Sequence, residues 1–212
     1  MVDVKRRYDG RRRQAQAAQR RRRMLTEARQ LLLERGYADT TLALVAERAD
    51  VATPTVYKAF GNKAGLIKAV IDYSVAGDDD PTPILRRERA ERIRSEPDPV
   101  RKIELYSDGL IATLERSGRL QLIVRAAADN QPEIRPVWKR MQQERLAGMT
   151  QLAKVFADGG HLAAGVTADE ARDILWVQTS PELYQLFVVE RRWSLQRYRA
   201  WLVTTLTTAL VA

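Results

Sequence analysis

The chain has 212 residues, 45% of them hydrophobic, and no cysteine, which supports a real core and excludes disulfides, thiolate metal sites and cysteine catalysis. Charge is segregated: residues 1–68 hold 16 Lys+Arg against 7 Asp+Glu and residues 69–212 hold 20 of each, so the whole net charge of +9 lies in the first third. The basic start is followed by no apolar stretch and no run approaches the roughly 18 apolar residues of a membrane span, so a soluble, cytoplasmic protein without membrane contact is expected.

Helix signals dominate from the start, and no period-2 run bounded by hairpin turns occurs. Residues 1–19 read as a basic flexible arm, either a polyanion contact or a solvated tail. A helix is expected from about Arg12 to Arg35, with Leu25, Ala28 and Leu32 at i, i+3 and i+7 and Gly36 at its C′ position. In TTLALVAERADV, Thr41 suits an N-cap, and Leu42, Val45, Ala46 and Ala49 form an apolar stripe. Asp50 falls at a sharp turn, where aspartate tolerates the left-handed conformation better than most residues.

The stretch VATPTVYKAFGNKAGL is too short and too polar for an ordinary core helix. Pro54 suits a first helical turn and Thr53 the N-cap before it. Val56 and Phe60 share an inward side, which leaves Thr53, Thr55, Tyr57 and Lys58 facing out. Gly61 releases the chain, Asn62 caps the next helix and Lys63 opens it; Leu66, Ile67, Val70 and Ile71 give that helix its apolar stripe. The pattern is a helix-turn-helix over residues 20–76 whose second helix enters a DNA major groove. Small hydroxyls allow close approach to base edges, and the Tyr57 phenol can donate to a phosphate oxygen. The amides following Asn62, with the charge of Lys63, make an anion site. The expected DNA-binding set is Thr41, Thr53, Pro54, Thr55, Tyr57, Lys58, Asn62 and Lys63, with the N-terminal arginines on the backbone or in a neighbouring minor groove.

The ordered set Gly36-Tyr37, Thr41, Val45-Ala46, Ala49, Val51, Thr55-Val56-Tyr57, Phe60, Asn62-Lys63 and Leu66 resembles the TetR family of bacterial transcriptional regulators. Asp50 stands where that pattern commonly has a turn glycine, and Ala52 where a serine often caps the recognition helix. The resemblance implies a homodimer on a palindromic operator in double-stranded DNA, most often a repressor. It also implies a C-terminal helical domain that accepts a small apolar or amphipathic effector and thereby releases the DNA. The alternative is a DNA-binding regulator without such an effector, whose C-terminal domain serves dimerisation or protein partners.

Beyond the motif, residues 77–97 read as a polar, proline-interrupted connector and 98–212 as a helical regulatory and dimerisation domain, giving an all-α fold. Asp98-Pro99 looks like a cap and N1 proline for a helix ending near Gly118; a shorter helix covers about Leu120 to Ala128, and a long one runs from Pro136 to Gly159-Gly160. Ser180-Pro181 kinks or splits the next segment, and Ser194 caps the last helix. In the family the last two helices pair with their copies, which makes Leu183, Leu186, Phe187, Tyr198, Trp201, Leu202 and Leu206 the candidate dimer interface, with the monomer's own core as the competing reading. Tyr106, Trp138, Met141, Met149 and Trp176 are candidates to line an effector pocket, again against plain core. His161 sits in a loop without metal-ligating company, and no catalytic motif or cofactor signature occurs, so neither metal, cofactor nor enzymatic activity is expected.

Overall fold

The structure, a computed structural model, describes the backbone of residues 2–80 and 82–211 and the side chains of residues 13–80 and 82–211. Among them the chain is all-α, and its only extended pairing is an isolated antiparallel bridge between Leu162 and Val211. Two compact units divide between Tyr73 and Ser74.

The first unit begins with α1 (Val2–Arg35), then α2 (Leu42–Arg48), α3 (Thr53–Phe60) and α4 (Lys63–Ala76). α1 corrects the expectation of a flexible arm over 1–19: the backbone is helical from Val2. Arginine, glutamine and alanine are strong helix formers, and Gly10 alone does not stop a helix that the next two turns propagate. The side chains before Arg13 lie outside the described residues. Gly36 then takes φ +74° and ends α1 as its C′ residue.

The second unit holds a 3₁₀ turn (Ile84–Arg86), α5 (Glu88–Ser95), α6 (Pro99–Asn130), α7 (Arg135–Asp158), α8 (Ala168–Gln178), α9 (Pro181–Tyr184) continuing into a π-helical segment (Gln185–Glu190), and α10 (Leu195–Leu210). The expected connector is therefore partly folded. Arg87 ties it together by donating to Thr82 O, Asp80 O and the Asp78 carboxylate, each at 3.0 Å. α5 forms because Glu88 and Glu91 open it, Arg92 and Arg94 close it, and Ile93 is buried. Lys102, itself buried, donates to Ile93 O (3.1 Å), Arg94 O (3.0 Å) and Glu96 O, the otherwise unpaired carbonyls at the end of α5. Burial pushes that ammonium down from its ordinary pKa.

Asp98 caps α6 as read, accepting from Val100 N at 2.9 Å. The helix does not end at Gly118, however, but continues to Asn130. Gly118 is buried inside this helix, and a Cβ there would meet Tyr184 at 3.7 Å, an ordinary contact, so this glycine does not terminate α6. Ser180-Pro181 splits the chain into α8 and α9, and Ser194 caps α10 through Arg197 N at 3.2 Å. The core of this unit gathers Ile103, Ile111, Phe156, Leu175, Tyr198, Leu202, Leu206 and Leu210.

Candidate nucleic-acid interface

The first unit is a scaffold for one short helix. Ala28, Leu31, Leu32, Val45, Ala49, Val56, Leu66, Ile67 and Val70 are essentially without solvent contact, so α1, α2 and α4 close around the inner side of α3. Each of the leucine, isoleucine and valine side chains contributes roughly 1.5–3 kcal/mol on burial, enough to hold a helix of eight residues that would not form alone. Thr41 caps α2 with its hydroxyl oxygen, accepting from Leu44 N at 3.1 Å. Asp50 adopts φ +53°, as the turn requires, and Val51 N reaches back to Ala46 O at 3.0 Å. Arg48 latches α2 to α1 through Glu27 (3.0 Å) and Glu34 (2.8 Å). Hydrogen bonds from Gln30 and then Arg48 hold the Glu34 carboxyl below its ordinary pKa.

α3 begins one residue differently from the sequence reading. Ala52 is the N-cap and provides no side-chain bond, so Thr53 is the first helical residue and not the cap. With Pro54 next, its missing N–H falls among amides that have no intrahelical partner anyway, which lessens the need for a hydroxyl cap. Val56 has no exposure, whereas Tyr57 is 52% exposed, Pro54 and Lys58 are exposed, and Thr53 and Thr55 are half-buried. The four outward residues anticipated from the sequence thus share the solvent side with Pro54.

Asn62 caps α4, its Oδ1 accepting from Gly65 N at 2.9 Å. Lys63 lies at the same helix start, but its ammonium sits 4.1 Å over the Tyr37 ring and donates to Ala38 O at 2.9 Å. Its charge therefore ties the α1–α2 loop to α4 as well as adding to the positive field at that helix N-terminus. Two further residues escaped the sequence reading. Arg21 lies 4.6 Å over the Phe60 ring and donates to Ala59 O at 3.3 Å, bringing the basic helix α1 to the end of α3. Gly65 faces the end of α3 so closely that a Cβ would collide with Phe60 O. A glycine three residues after a cap carries no local signal of such an approach; only the packing reveals it.

In the second unit the effector candidates separate. Tyr106 O–H points to Met149 Sδ at 3.5 Å, and Trp176 lies beneath Arg145, 4.9 Å from its ring centroid. Trp138 and Met141 lie on the same α7 face at earlier turns, with Met141 buried. The interface candidates need correction. Tyr198, Leu202 and Leu206 have no exposed surface within a single chain, because α10 packs them into its own unit against α6, α8 and the π-helical segment. Leu183, Phe187 and Trp201 are half-buried, and Leu186 is exposed, as are Val177 and Val189, which the sequence reading omitted. His161 is half-buried after Gly160, edge-on to Phe156 at 6.4 Å.

Residues 24–70 match the family model described as bacterial regulatory proteins, tetR family. The chain is 42% identical over 50 residues to the uncharacterized HTH-type transcriptional regulator YvkB of Bacillus subtilis (strain 168), a match covering 24% of this chain and 26% of that protein. It thus spans about a quarter of the length of the curated relative it matches. Among solved structures, native NalD of Pseudomonas aeruginosa, described as the secondary repressor of the MexAB-OprM multidrug efflux pump, superposes with a TM-score of 0.71 at 22% identity, covering 92% of this chain and 98% of that one. A transcriptional regulator of Saccharomonospora viridis in complex with choline gives 0.66 at 16% identity, covering 91% and 97%. At such identities these two likenesses establish the fold.

Proposed function

The chain belongs to the tetR family of bacterial regulatory proteins, and from that premise we propose that it represses transcription by binding a palindromic DNA operator as a homodimer, and is released by a small-molecule effector. The observation that carries the reading is α3: one side is sealed by Val56, while the other offers Pro54, Tyr57 and Lys58 to solvent, flanked by Thr53 and Thr55. That is what a major-groove insert needs, a helix immobilised from behind with small and donor-bearing groups in front. Thr41, Asn62 and Lys63 sit at the starts of α2 and α4, where helix amides and dipoles favour phosphate. The excess of positive charge in residues 1–68 supplies the non-specific attraction.

A two-fold partner is supported by Val177, Leu186 and Val189, which expose apolar surface on α8 and the π-helical segment. Effector release is supported by a regulator of the same fold crystallised with choline, and repression by the likeness to NalD, itself a repressor. The test is selection of bound fragments from the genome of origin, then titration of a selected fragment over a range of salt. Inverted half-sites and a log–log salt slope of about −0.9 per phosphate engaged are expected. Enriched sites lacking inverted symmetry would overturn the dimeric reading, and no enrichment at all would overturn DNA binding.

A further inference from the structure

The second unit carries two arginines, half-buried Arg145 and exposed Arg89, without a carboxylate partner among the described residues. Arg145 on α7 has no carboxylate within 4 Å among the described residues, and its one hydrogen bond goes to Trp176 O. Arg89 on α5 is exposed, and its guanidinium lies against the α6 backbone at Gly109, with neither a hydrogen bond nor an ion pair among the described residues. The nearby acids are engaged: Glu182 with Arg125, and Asp108 with Arg199 (3.2 Å for one of its two bonds). The Arg145 guanidinium is half-buried, and such a group is ordinarily paired, because removing its hydration without an anion is unfavourable; Arg89 is exposed and adds a second positive charge.

The neutral groups around them lean the same way. The Tyr106 hydroxyl points to Met149 Sδ, a weak acceptor, and also meets the Thr179 hydroxyl, with the charges of Arg145 and Arg89 acting on it. The Trp176 indole N–H is buried with no acceptor. Donors therefore outnumber acceptors in this cluster, and the poorest acceptor belongs to methionine, an unbranched side chain that changes rotamer readily. Burial pushes the Arg145 guanidinium down from its ordinary pKa, with the Tyr106 phenol and then Glu182 opposing that shift. Along α7, Trp138, Met141, Arg145 and Met149 follow one face at spacings of three and four residues, so apolar groups flank the charge.

We propose that this cluster receives the charged head of an organic anion, a carboxylate or similar group on an apolar body, held between Arg145 and Arg89 beside the Tyr106 hydroxyl. The inference rests on the effector reading above and adds the chemistry of the ligand. A carboxylate would accept from the guanidinium forks and from the phenol in place of the sulfur, while its apolar part lies along Met149 and Met141.

The test uses the full chain, with decanoate and 4-phenylbutyrate as probes and their neutral amides as controls, followed by tryptophan fluorescence and thermal shift. At least one acid is expected to bind at least tenfold more tightly than its amide. Arg145→Met should weaken the acid at least tenfold and leave the amide unchanged. Gly109→Ala is the second variant: its methyl displaces the Arg89 guanidinium while favouring the helix, so acid binding should weaken several-fold with the melting temperature equal or higher. Equal binding of acids and amides, no binding of either acid, or acid binding unaltered in folded Arg145→Met or in Gly109→Ala would overturn the proposal. Operator titration separates this from the broader reading. An acid that binds here without lowering operator affinity leaves the anion site standing and removes the effector role. Amides that release the operator while the acids do not bind leave the effector role standing and remove the anion.

Discussion

Tyr57 and Lys63 show how two residues of one motif take different physical parts. Tyr57 is 52% exposed, with its ring carried by a helix anchored through Val56. Removing only its hydroxyl deletes a donor to a phosphate, so Tyr57→Phe should raise Kd by roughly fivefold, about 1 kcal/mol, on operator and scrambled duplex alike. Fluorescence anisotropy on both duplexes checks this, and a loss confined to the operator would assign the phenol to a base instead. Lys63 is held by the Tyr37 ring and Ala38 O, so its truncation acts on the fold before it acts on DNA. Lys63→Ala should lower stability by about 1 kcal/mol in urea denaturation. Weaker DNA binding with an unshifted urea midpoint would refute the anchoring role.

At the scale of the element, the spacing of α3 and α4 depends on a position without a side chain. Gly65 packs against Phe60 O, a backbone atom that cannot swing aside, so Gly65→Ala should force α3 and α4 apart and reduce operator affinity about tenfold, the equivalent of 1.4 kcal/mol. Circular dichroism unchanged alongside that loss would locate the defect in the geometry of the motif; undiminished affinity would show that α3 tolerates the shift. A different control acts at α8, where Thr167 and Glu170 form a capping box. Hydrogen bonds from the Thr167 backbone N–H and then its hydroxyl hold the Glu170 carboxyl below its ordinary pKa. A depressed folded value means that the stabilisation is present above the unfolded-state pKa and is lost as pH falls through the folded one. Amide exchange in the first turn of α8 should therefore accelerate below the usual glutamate range, and Glu170→Gln should remove that dependence. Local signals of this kind were legible from the sequence: the caps at Thr41, Asp98 and Ser194, and the left-handed turn at Asp50, each depend on a few neighbouring residues. Gly65, Arg21 and Arg48 were not, because their meaning comes from packing between elements rather than from a local sequence pattern. The extension of α1 to Val2 was missed for another reason, since charge was read as mobility in a segment of good helix formers.

For the whole molecule, charge and apolar surface fall in different places. All of the net +9 lies in residues 1–68, so deleting residues 1–19 should flatten the salt dependence of DNA affinity while the second unit keeps its cooperative melt. A slope equal to that of the full chain would remove those residues from the contact. Self-association has to come from apolar surface that the single chain leaves open. Tyr198, Leu202 and Leu206 cannot supply it, because their packing is complete within one unit. Val177, Leu186 and Val189 can, at 54%, 48% and 52% exposure. A glutamate at an apolar contact would be desolvated on association, so Val189→Glu should shift the protein from dimer to monomer in sedimentation velocity. Two tethered DNA-binding units gain by effective concentration, so the same variant should lose roughly 10²–10⁴-fold on a full operator and nothing on an isolated half-site. Tyr198→Phe is the control: with the tyrosine interior to the protomer, its dimer should persist. A Val189→Glu protein that sediments as a dimer would place the interface elsewhere, and equal losses on full and half sites would mean that the substitution damages the DNA-binding unit rather than the pairing of two copies.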